Sequence, residues 1–108
     1  EPEIIQEPTP EPEPMPEPEP TFDDFVRQAR EGDLISQKTI ADRYENGDGV
    51  PEDYVMAYVW WNVASAGDDT EAKKRKRRLV KKMTKEQIAE AQTLSRTVWN
   101  ELKKASDN

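Results

Sequence analysis

Asp48, Glu52 and Asp53 are the one dense group of potential acid–base side chains beyond the first twenty residues, because the chain of 108 residues has neither histidine nor cysteine. They sit at a turn and a helix start, where capping is reason enough for carboxylates. Glycosidase-type chemistry needs two carboxylates facing one another across a cleft, which a single helical repeat does not readily supply. Calcium binding over 46–53 fails the alternating-ligand template, because Val50 stands where an oxygen ligand is needed. Without thiolate or imidazole there is no disulfide framework, and structural zinc is not expected. The expectation is a non-enzymatic protein with no catalytic, cofactor or metal site.

The second group is the run Lys73-Lys-Arg-Lys-Arg-Arg78, continued by Lys81 and Lys82. Clustered Lys and Arg release counterions from phosphates, so Lys73, Lys74, Arg77, Arg78, Lys81 and Lys82 are candidates for binding nucleic acid or anionic lipid. No base-stacking motif or phosphate-binding glycine loop accompanies them, and Trp60, Trp61 and Trp99 are expected in the core. The simpler reading is a solvated helix face, partly neutralised by the acidic tail. A docking face for an acidic protein is a third.

These groups are placed by the stretch from Glu45 to Gly67. Gly47 and Gly49 bracket Asp48 and predict a helix end near Asn46 followed by a tight reversal. Pro51 then suits a first helical position, with Glu52 and Asp53 in the opening turn, and the next helix is expected to run to about Ala66. Gly67 should close it, with Asp68 and Asp69 offering a new N-cap. At 100° per residue, Tyr54, Ala57, Tyr58, Trp61, Ala64 and Ser65 share one face, and Val55, Met56, Val59, Trp60 and Val63 the other. A helix apolar on both sides must be sandwiched between neighbours, and this one is too short to cross a bilayer.

Ser36, Ile40, Ala41, Tyr44, Gly47, Gly49, Val50, Asp53, Tyr54, Ala57, Trp60 or Trp61, Ala64, Ser65 and Gly67 stand in an order that resembles the Sel-one-like repeat (SLR), a helix-pair relative of the tetratricopeptide repeat. The resemblance covers residues 29–69. Ser36 and Ser65 depart from it, since the family favours alanine there, and each hydroxyl needs a local acceptor. The resemblance implies an α-α superhelix that serves as a protein-interaction scaffold, common in bacterial envelope and signalling assemblies, with first helices lining a concave surface. Carried onto this chain, that places Lys38, Asp42 and Glu45 as candidate partner-binding residues.

The remaining chain fits around this pair. Residues 1–20 hold eight of the nine prolines and seven glutamates, too few apolar groups to fold, and are expected to form a disordered spacer rich in polyproline II, roughly 60 Å long if extended. Such Glu-Pro runs resemble the envelope-spanning segments of periplasmic proteins; a tail with no reach requirement is the simpler alternative. With Glu1 first, any signal peptide or membrane anchor belongs upstream. Thr21 with Asp24 predicts a capped helix ending at Gly32. Gly32-Asp33 is echoed at Gly67-Asp68, 67 minus 32 or 35 residues on, a period typical of helical arrays. A basic helix over 70–83 begins another repeat and loses the pattern, with Lys76 inside its apolar arc and obliged to snorkel. Thr84 with Gln87 caps a last helix over 84–104, whose stripe of Ile88, Ala91, Ser95, Val98 and Leu102, widened by Leu94 and Trp99, covers the end of the array.

The fold class expected is therefore all-α, one complete SLR-type pair with a partial repeat on one side and a capping helix on the other, over 21–108. The charge is lopsided: residues 1–20 carry −7, residues 21–69 carry 4 − 11 = −7, and residues 70–108 carry 12 − 5 = +7. That pattern bears on partners and steering. The expected function is a protein or peptide adaptor, monomeric, periplasmic or envelope-associated, with a cytoplasmic location and polyanion binding through 73–82 as alternatives.

Overall fold

The computed structural model describes residues 8, 10, 12–16 and 18–107. Among these, 8, 10, 12–16 and 18–20 form neither helix nor strand and are exposed, and the rest of the expected spacer lies outside the described residues. The ordered part is five helices: α1 (Phe22–Arg30), α2 (Leu34–Asn46), α3 (Tyr54–Ser65), α4 (Thr70–Val80) and α5 (Lys85–Ser106). It is an all-α superhelix in which α1 packs on α2, and α3 packs against α2, α4 and α5.

Local chemistry explains most of the boundaries. Thr21 and Thr84 each close a full capping box, the Asp24 carboxylate accepting from the Thr21 amide at 2.9 Å and the Gln87 side chain from the Thr84 amide at 2.9 Å. Asp33, Asp53 and Asp69 cap α2, α3 and α4 by accepting from the amides of Ser36, Met56 and Ala72. Gly47 ends α2 at φ +67°, a left-handed conformation that is cheap only for glycine.

Three expected boundaries move, the first being the end of the basic helix, which stops at Val80 and not at 83, so that 81–83 form the turn into α5. Pro51 is not the first residue of α3, because Asp53 caps it: the Asp53 carboxylate takes the Met56 amide at 3.1 Å, and its own amide donates to the Tyr44 carbonyl at 2.9 Å, tying the turn back to α2. Gly67 is not the left-handed residue that closes α3. That conformation falls on Asp68, φ +65°, directly before the Asp69 cap, just as Gly32 at φ +100° precedes the Asp33 cap. The structural period is thus 69 minus 33, or 36 residues, one more than the Gly-Asp echo suggests.

The core is centred on α3, which buries Ala57, Tyr58, Val59, Trp60, Trp61, Val63, Ala64 and Ser65 on both sides. Ile40 and Ala41 meet it from α2, Leu79 from α4, and Ala91 and Val98 from α5. Trp99 is a correction to the expected core: it is 46% exposed, whereas Trp60 and Trp61 are 2% and 1% exposed. The two serines that depart from the resemblance find acceptors, Ser36 on the Gln28 and Asp33 side chains and Ser65 on the Asn62 carbonyl at 2.8 Å. Gln37, also buried, donates to the Ala29 carbonyl at 3.0 Å and so satisfies the end of α1.

Although α4 and α5 are joined by a short turn, both pack chiefly on α3. The 36-residue spacing of the Asp33 and Asp69 caps offers a reason. Lys76 stands at the position of fully buried Ile40, 76 minus 40 or 36 residues on, and an ammonium cannot make that contact without a partner. Lys76 instead snorkels to the Asn62 side chain, Nζ to Oδ1 3.0 Å, and lies 5.9 Å from the Tyr58 ring centroid.

Candidate functional site

Lys38, Asp42 and Glu45 lie three and four residues apart on α2, which puts them in a row facing α4. Each meets an opposite charge there. Lys38 Nζ is 3.1 Å from Asp69 and 3.6 Å from Glu71. Arg75 places one guanidinium nitrogen 2.7 Å from Asp42 and 3.4 Å from Glu45. Lys82 approaches Glu45 at 4.0 Å.

Beneath this row is Trp61. Its indole Nε1 donates to Glu45 Oε1 at 3.1 Å, and the Arg75 guanidinium carbon lies 4.6 Å from the ring centroid. Glu45 therefore receives both an indole N–H and a guanidinium, with its side chain only 10% exposed. The Asp42 and Glu45 carboxylates hold the Arg75 pKa up, against partial burial, which pulls it down and is the largest single influence. Lys38 and the Ala72 amide stabilise ionised Asp69, whose pKa is lowered chiefly by that amide.

The charge ladder frames a cleft of about 530 Å³ between α2 and α4. Lys38, Asp42, Arg43, Asp48, Glu71 and Arg75 are its charged walls, Trp61 is at its base, and Ile35, 73% exposed, and Thr39 complete its rim. Lys38 and Asp42 thus line an open surface, while Glu45 is a support under Arg75. The acidic middle and basic end of the chain are joined here, so the charge asymmetry also holds α4 to α2.

Arg75 is the residue sequence reasoning left out. A helical wheel puts it among the outer cations, and only the position of α2 turns it inward.

The basic run divides by face. Lys73 is 3.1 Å from Asp68, and Lys82 shares Glu45. Lys74, Arg77, Arg78 and Lys81 are exposed and have no ion-pair partner among the described residues. At three- and four-residue spacing they make one outward stripe on α4 and the turn after it.

The carboxylates at 48–53 are apart in role: Asp48 lines the α2–α4 cleft, Glu52 is exposed, and Asp53 is engaged as the α3 cap. Among the described residues no three carboxylates are grouped to hold a metal ion, and no helix is long and apolar enough to cross a membrane. No protein-family model, curated protein or solved structure matches the chain.

Proposed function

We propose that this chain is a non-enzymatic adaptor that docks an extended protein or peptide segment in the α2–α4 cleft. The observation that carries the reading is the cleft itself: rigid helical walls, both signs of charge, and an exposed Ile35 beside it. A rim of mixed charge selects a partner of complementary pattern, and an apolar contact at Ile35 and Thr39 supplies the desolvation that such a site needs. The SLR-like order of residues 29–69 supports the same reading, and the Glu-Pro segment suits a spacer that presents the domain in a periplasmic or envelope assembly.

Panning a random-peptide display library against the full chain tests this. Selected peptides should bind the wild type and lose at least about tenfold in affinity on Ile35→Asp, a loss of roughly 1.4 kcal/mol, while Lys74→Gln leaves them unaffected. Peptides indifferent to Ile35, or no enrichment at all, would count against the adaptor.

The unpaired stripe of Lys74, Arg77, Arg78 and Lys81 favours a second reading, polyanion binding. Its test is a salt titration with duplex DNA and with heparin. Binding that weakens steeply with salt and is lost when all four become Gln supports it. No binding at low salt removes it.

A further inference from the structure

A second depression, about 560 Å³, opens between α3 and α5. Its wall is a stripe on α5, Gln92, Ser95, Arg96, Trp99 and Asn100, spaced three and four residues apart. Its opposite side is Tyr58 and Asn62 of α3, one turn apart. The size falls within the range of about 300–1,000 Å³ typical of small-molecule sites.

Two observations set this place apart. Trp99 is the one tryptophan that the core leaves half exposed, although α5 has a continuous buried stripe beside it. Ser95, 3% exposed, lines the floor, and its hydroxyl is the one fully buried side-chain polar atom without a hydrogen-bond partner among the described residues. A buried hydroxyl left unpaired is costly, and natural proteins seldom keep one without a reason. Meanwhile Lys76 occupies Asn62 Oδ1 and so turns the other end of that amide, a donor, to different partners.

We infer that this depression is a carbohydrate-binding site, with Trp99 as the platform for a sugar ring and the side chains of Asn62, Gln92 and Asn100 as partners for its hydroxyls. The argument rests on matching chemistry. A sugar ring has an apolar C–H face, which packs on an indole, and an edge of hydroxyls that both donate and accept. Carboxamides likewise both donate and accept, so they can follow either direction of each sugar hydroxyl. Arg96 adds donors, and no carboxylate lines the site to repel a sugar acid. A peptide strand would want a continuous edge of backbone groups or an apolar pocket, and this wall offers neither.

The test is a titration of the full chain, labelled with ¹⁵N, with cellobiose and with N,N′-diacetylchitobiose at millimolar concentrations, read at the Trp99 indole N–H. At least one sugar should shift that resonance saturably, with a dissociation constant on the order of 1 mM. Trp99→Ala should abolish the shifts of the Asn62, Gln92 and Asn100 side-chain amides. Gln92→Ala and Asn100→Ala, both at exposed positions, should each weaken binding about 2- to 10-fold without changing the fold, as circular dichroism would show. Lack of any saturable shift at Trp99 overturns the inference. So does a shift that follows protein concentration without sugar, since Trp99 would then be covered by a second copy of the chain.

Discussion

The Arg75 guanidinium lies over the ring of fully buried Trp61, its central carbon 4.6 Å from the ring centroid, and the indole N–H and the guanidinium converge on one carboxylate, Glu45. Truncating that carboxylate leaves an N–H without its acceptor and a partly buried cation with Asp42 as its one remaining counter-charge. Glu45→Ala is expected to cost about 2–3 kcal/mol in urea unfolding. Arg75→Lys should cost about 1 kcal/mol, because an ammonium cannot both stack on the indole and reach two carboxylates.

Acid should weaken the fold through two caps. The Asp24 pKa is lowered chiefly by the Thr21 amide and hydroxyl, and that of Asp69 by the Ala72 amide and Lys38. Each carboxyl binds protons more weakly folded than unfolded, so its contribution is present above the unfolded value and lost as pH falls through the lower folded value. Thermal midpoints should therefore fall on acidification through and below the ordinary carboxylate range. Asp69→Asn should be less stable than the wild type at neutral pH and converge with it in strong acid.

The turn between α2 and α3 has its own signature. Asp53→Ala removes the acceptor for the Met56 amide and should cost about 1 kcal/mol. Gly47→Ala forces a side chain onto a residue at φ +67° and brings its Cβ 3.4 Å from that of Glu52, for a loss of about 1–2 kcal/mol. Denaturant midpoints of the two variants, compared at equal slope, check both.

Fluorescence separates the tryptophans. Acrylamide should quench only one of three indoles efficiently, since Trp60 and Trp61 are shielded and Trp99 is open. Trp99→Phe should remove the quenchable fraction and leave the unfolding midpoint within about 1 kcal/mol of the wild type.

Much of this arrangement was legible in the residues themselves. The capping chemistry of Thr21, Asp69 and Thr84 is local, and so is the reversal at Gly47, and the helix starts and the end of α2 fall where they place them, whereas α4 stops at Val80, short of the expected 83. Sandwiching of α3 also follows from its two apolar faces. The start of α3 is less obvious, because Pro51 satisfies a helix-start pattern that Asp53 satisfies better once Tyr44 can take its amide. Orientation across helices was out of reach. Nothing in a one-dimensional pattern says that Arg75 turns toward Glu45, that Trp99 falls at the margin of the α5 stripe, or that Lys38 meets Asp69, 31 residues later.

The basic run carries a lesson for mutagenesis. Neighbours on α4 diverge by about 100°, so Arg75 and Lys76 brace the interior while Lys74, Arg77 and Arg78 face away from it. Neutralising the whole stretch at once would topple the scaffold and masquerade as lost recognition. A single-residue scan would instead give an alternating record, brittle where the helix leans on its neighbours and forgiving where it looks outward.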